Sequence, residues 1–80
     1  MIWTVSTHAV ERFVQRIRPD LGHTAARCMI SAALRGATRT KLRTRSGDLI
    51  YRASTSAGDF LLVVRRGAWE RGLVVLTVLP

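Results

Sequence analysis

Apolar and polar positions change their period once along this chain of 80 residues. Before Gly36 they recur every three to four residues; from Thr38 onward they alternate. In the stretch Ser6 to Arg18, Val10, Phe13, Val14 and Ile17 take i, i+3, i+4 and i+7 positions, the pattern of a helix lying on a core. His8, Arg12, Gln15 and Arg16 fall on the opposite side. Ser6 or Thr7 can cap this helix, and Glu11 is expected in or near its first turn, where the dipole favours an acid. Pro19 disfavours helical geometry at Arg18, so the helix should stop near Ile17. Ile2-Trp3-Thr4-Val5, β-branched and aromatic, reads as a short strand before it. After a Pro19-Asp20-Leu21-Gly22 turn, a second helix is predicted from about Thr24 to Leu34. Ala26, Met29, Ile30, Ala33 and Leu34 share one face of it, and Gly36 is placed to end it at C′.

The alternating half predicts strands at 38–44, 49–54, 60–65 and 73–79, separated by turns at 45–48 and 56–59 and a loop at 66–72. Three such connections describe an antiparallel meander. The last two strands are apolar on both sides, so they should be central, with helices over at least one face. The order β-α-α-β-β-β-β gives an α+β domain: two N-terminal helices packed on a four- to five-stranded, mainly antiparallel sheet.

Composition adds a partner class to this fold. Eighty residues make a single domain, 1–80, with an adequate but marginal core. The net charge is +8, and twelve of the thirteen cations are Arg, with Lys41 the single Lys. Arg presents a planar fork of donors suited to phosphate, so the balance favours a polyanion, most often nucleic acid, over a merely solubilising charge or an acidic protein partner. Cys28 is alone, which fits a reducing compartment and supports neither a disulfide nor a Cys-based metal site. No basic start and apolar h-region of a signal peptide is visible, and no apolar run is long enough to cross a bilayer. A cytoplasmic protein, with no membrane partner, is expected.

Two constellations could carry chemistry. Residues four apart on a helix are neighbours, so His8, Arg12 and Arg16 form one ridge. An imidazole beside two guanidinium groups suits general acid–base work at a phosphate, enough for RNA cleavage without a metal, with the ribose 2′-hydroxyl as nucleophile. A plain solvated basic face is the competing reading. The second is the basic strand Arg39, Lys41, Arg43 and Arg45, whose alternation points the four to one face or edge. With Arg52 and Arg65 on adjoining strands they could track a nucleic-acid backbone, or protect a sheet edge from aggregation. Tyr51 and Trp69 are candidate base-stacking rings, although Tyr51 should be half buried; Thr77 is a polar interruption in an apolar strand. Five scattered acids give no carboxylate pair, and His8 and His23 lack companions at metal-ligand spacing, so neither metal nor cofactor is implied. A phosphate-binding Gly-rich loop and a G-x-S-x-G elbow are both missing.

The run Ser6-Thr7-His8-Ala9-Val10-Glu11-Arg12-Phe13, followed by Arg16 and closed far downstream by Leu76-Thr77-Val78, resembles a family of small bacterial and phage domains opening His-Ala-x-x-Arg. That family is similar to RelE/ParE-type toxins, which share a barnase–EndoU–colicin–RelE fold. The resemblance covers nearly the whole chain in element order, but only the first helix and last strand are motif-like. It implies a toxin-type ribonuclease acting on mRNA or tRNA, with His8 and Arg12 at the site and Arg16 or Thr77 in support. The chain departs from the RelE pattern at its end, where residues 73–80 carry no titratable side chain. Catalysis would then rest on the helix with Arg52 or Arg65. The alternative is a non-catalytic phage or mobile-element module that binds nucleic acid or, ParE-like, inhibits a host protein. An antitoxin partner is implied by the resemblance, and a homodimer could form through the apolar last strand.

Overall fold

The computed structural model describes residues 3–56, 58–67 and 72–80. Ile2 of the expected first strand, Ala57, and Trp69 and Glu70 of the last loop lie outside them. Seven elements follow in order: β1 (Trp3–Val5), α1 (Thr7–Arg16), α2 (His23–Gly36), β2 (Thr38–Arg43), β3 (Leu49–Thr55), β4 (Gly58–Arg66) and β5 (Leu73–Leu79). The strands form one sheet in the order β1-β5-β4-β3-β2. The expected meander runs antiparallel from β2 to β5, and β1 joins β5 in parallel, so the domain is α+β with a mixed five-stranded sheet. The most apolar strands, β4 and β5, are central, because strands of that composition are stable only when both neighbours and a covering layer remove them from water.

The first helix begins where the sequence predicts. Ser6 is the N-cap, its Oγ accepting from the Ala9 N–H at 3.0 Å. Glu11 lies beyond the first turn, which holds no acid, so it does not serve the dipole there. The helix ends at Arg16, one residue before Ile17, whose N–H still bonds the Phe13 carbonyl. The second helix runs further than expected at both ends. Gly22 sits at its N-cap without a side-chain bond, and Gly36 is its last helical residue rather than a left-handed C′. The physical reason is at Ala37: its N–H closes the last turn on Leu34 O at 3.3 Å with ordinary extended backbone, so no positive φ is required.

Both helices cover one face of the sheet. Ala9, Val10 and Phe13 of α1 and Ala26, Ile30 and Leu34 of α2 meet Ala53, Phe60, Leu62, Val64, Val75 and Val78 in one cluster. Val14, Ile17, Met29 and Ala33 flank it half-buried, as their helical spacing predicts. Phe13 and Phe60 meet edge to face with centroids 5.3 Å apart. Burying each ring contributes roughly 1.5–3 kcal/mol, and the ring pair roughly 0.5–1.5 more, so this contact is the strongest single link between α1 and β4. The fully buried Ala9 and Ala26 supply the short side chains that let helices approach closely. On the opposite face, pairing places Ile50, Val63 and Thr77 in one row and Arg52, Leu61 and Leu79 in the next, with no helix above them.

The sheet edge is stepped, and this step positions α1. The three residues of β1 pair only with Leu73, Val74 and Val75. A β-bulge between Val63 and Val64 gives β5 one extra residue, Leu76, just past that pairing. Ser6 Oγ donates to the Leu76 carbonyl at 3.1 Å, and Arg16 Nη1 donates to the Val78 carbonyl at 2.9 Å. On β1, the Val5 carbonyl accepts from Arg27 Nη1 of α2. Helix side chains thus complete backbone bonds that a longer β1 would have made. One Ser6 hydroxyl both starts α1 and ties it to the bulge. Ser6→Ala is expected to lower unfolding stability by about 1–2 kcal/mol in urea melts, the sum of a lost cap and an unanswered carbonyl. Ser6→Asp, which caps but cannot donate, should recover only part of it; unchanged stability in Ser6→Ala would contradict this role.

Candidate functional site

The α1 ridge exists, but it divides. His8 is exposed in the first turn, and Arg12 Nε donates to its Nε2 at 3.4 Å. Arg12 Nη1 is held in turn by Gln15 Oε1 at 2.7 Å. In this chain of contacts Nε2 is the accepting nitrogen of His8, at the surface and against a guanidinium. A phosphate arriving there would meet Arg12's cation, and a hydroxyl carried with it could replace Arg12 at Nε2 by a small rotation. Gln15 orients Arg12, a role that spacing alone suggested only as membership of the same face. Arg16 turns away to the Val78 carbonyl, which also sets its charge at the favourable C-terminal end of the helix dipole. The structure therefore brings His8 and Arg12 together and assigns Arg16 a bond to the sheet.

The basic strand is an edge strand, as alternation predicts, but its alternation is broken. Arg39 pairs opposite Tyr51 and Arg43 opposite Leu49, with a register shift between them. Thr40 causes the irregularity: its Oγ1 donates to the Ile50 carbonyl at 2.7 Å and accepts from Leu42 N–H at 3.1 Å. A side chain that bonds backbone on two strands competes with the regular ladder. Arg39 and Arg43 therefore share the helix-covered side of the sheet by register, Lys41 and Leu42 project from the irregular segment, and Arg45 lies in the turn beyond β2. The expected single row of four cations is not formed.

Two further candidates carry carboxylate partners. Arg52 Nη2 lies 2.6 Å from Asp59, and Arg65 bonds both oxygens of Asp48 at 2.8 and 3.1 Å. Arg65 holds the Asp48 carboxyl below its ordinary pKa, Arg52 does the same for Asp59, and Asp48 raises that of Arg65. A third pair, Arg18 with Asp20, brings the Asp20 carboxyl down to about 2, chiefly through the side-chain hydrogen bond. Arg52 and Arg65 both belong to the helix-free face by register, so that face is close to neutral, whereas the helix-covered side of the β2 edge keeps cations without a described carboxylate partner.

One cation was missed by spacing arguments. Arg66, the last residue of β4, lines a cleft of about 450 Å³ together with Arg39, Arg43 and Arg65. The signal was present as the Arg65-Arg66 doublet before Gly67. The cleft is not part of the ridge: none of His8, Arg12 and Arg16 is among its lining residues.

The remaining candidates resolve simply. Tyr51 is half-buried and meets Trp3 edge to face at 5.6 Å beside the core, as its apolar strand predicts. Thr77 is half-buried opposite Val63. Cys28 and His23 are exposed, and among the described residues no group of three or more His, Cys, Asp or Glu could hold a metal ion. Among the described residues no helix is long and apolar enough to cross a membrane.

The geometry makes Arg16 a positioning residue. Arg16→Met should lower the melting temperature in a thermal melt by several degrees, consistent with about 1 kcal/mol for the lost bond to Val78. Unchanged thermal stability would return Arg16 to the ridge. In comparisons with known proteins, no family model, no curated protein and no solved structure matches this chain.

Proposed function

We propose that this domain is a toxin-type RNA-binding protein with a RelE/ParE-like fold that cleaves mRNA or tRNA without a metal ion, in the cytoplasm. The contact between His8 Nε2 and Arg12 Nε carries the reading, because it sets an exposed base beside a cation oriented by a third side chain. In this mechanism His8 takes the proton of a ribose 2′-hydroxyl as that oxygen attacks the adjacent phosphorus. Arg12 stabilises the charge that builds on the phosphoryl oxygens. The 5′-oxygen leaves and receives the proton from His8, giving a 2′,3′-cyclic phosphate and a 5′-hydroxyl. The net charge of +8 supplies the long-range attraction for the substrate.

A second reading is favoured by Arg16, whose bond to Val78 leaves one guanidinium beside His8 instead of two. On that reading the domain binds nucleic acid, or a host protein as a ParE-like inhibitor would, and turns nothing over. Incubation of the pure protein with total RNA in EDTA separates the two. The nuclease reading expects fragments ending in cyclic phosphate, reduced at least 100-fold in a folded His8→Ala variant. Equal cleavage by His8→Ala removes His8 from catalysis, and intact RNA with every preparation favours the binding module.

A further inference from the structure

The cleft at the far edge of the sheet has its own chemistry. It is lined by Arg39 and Arg43 from β2, Arg66 from β4 and the Ser46–Asp48 turn, and half-buried Leu49 supplies an apolar floor. Arg65 also reaches it but is neutralised by Asp48. Arg39 and Arg66 have no partner among the described residues. Arg43 is aimed by the Gly47 carbonyl, which accepts from its Nη1 at 3.2 Å. That carbonyl is set by a turn in which Gly47 holds a φ of 87°, a backbone conformation that side-chain-bearing residues rarely adopt. Three like charges around one concavity repel each other unless an anion lies between them. A volume of about 450 Å³ exceeds what a single small anion fills and lies within the size range of ligand-binding clefts.

We infer that this cleft binds the sugar-phosphate backbone of single-stranded RNA through Arg39, Arg43 and Arg66, at a site separate from the His8–Arg12 ridge. Arg supplies forked donors to the phosphate oxygens, and the Leu49 floor takes the apolar side of a nucleotide unit. The inference extends the RNA-binding reading above and does not depend on cleavage.

The test is carried out in the His8→Ala chain, where binding is read without turnover. A fluorescent 12-nucleotide single-stranded RNA is titrated across a salt series, and each variant is first matched to the parent by circular dichroism and melting. Arg39→Gln, Arg43→Gln and Arg66→Gln should each lower the slope of log K against log salt by about 0.7, and the triple variant by about 2. Arg35→Gln, which removes a cation on α2 outside the cleft, should leave the slope unchanged. A cleft variant that behaves like Arg35→Gln overturns the assignment. So does competition by a mononucleotide or inorganic phosphate at the strand's own affinity, which would make the ligand a free phosphate. Equal competition by a polyglutamate of the same length would replace RNA by an acidic protein. Intact RNA with the wild-type chain, alongside lost binding in the cleft variants, would remove the nuclease reading and leave this one standing.

Discussion

Beyond Val75, β5 continues past the end of its parallel neighbour, and what satisfies its carbonyls there determines where α1 can lie. Ser6 and Arg16, at the two ends of that helix, donate to Leu76 and Val78. A hydroxyl and a guanidinium thus stand in for a missing stretch of strand. The bulge at Leu76 matters because an extra residue locally re-aims the strand, and α1 is fastened to that residue's carbonyl. Once the helix ends are fixed, Phe13 is set against Phe60, and the polar side of α1 carries His8 and Arg12 outward. The candidate site is therefore a consequence of how the sheet edge is closed.

The same structure separates charge by face. Two of the three ion pairs among the described residues, Arg52 with Asp59 and Arg65 with Asp48, lie on the helix-free face. They flank Ile50, Leu61 and Val63, and they leave that surface with little field of its own. Arg side chains without a carboxylate partner among the described residues gather at the β2 edge and the end of β4. The strongly positive total is thus a property of particular regions, and an RNA strand would be drawn to those in preference to the open sheet.

Much of the fold was legible because helix and strand periods differ and each half of the chain keeps one of them. Val10, Phe13, Ile30 and Leu34 declared their burial by spacing alone, and β4 and β5 declared their central place by being apolar on both sides. The parallel attachment of β1 was not legible, since three residues carry no register information. The ridge was half legible. A spacing of four correctly placed His8 beside Arg12, but nothing local to Arg16 could reveal that its partner is a carbonyl 62 residues later. The basic strand misled for a related reason: alternation assumes a regular ladder, and the Thr40 hydroxyl disrupts it with a bond to Ile50 that no binary pattern encodes. The carboxylate partners of Arg52 and Arg65 are also tertiary facts, fixed by strand pairing and not by sequence distance.

The proposed RNA contacts fall on two basic regions of this domain and not on its open sheet face. Mapping amide shifts of the isotopically labelled chain during titration with single-stranded RNA examines every surface at once. Perturbations are expected to cluster at residues 8–12 and at 39–47 with 65–66, with little change along 50–52, 61–63 and 77–79. Perturbations confined to those three sheet segments, or none at any residue at low salt, would contradict it.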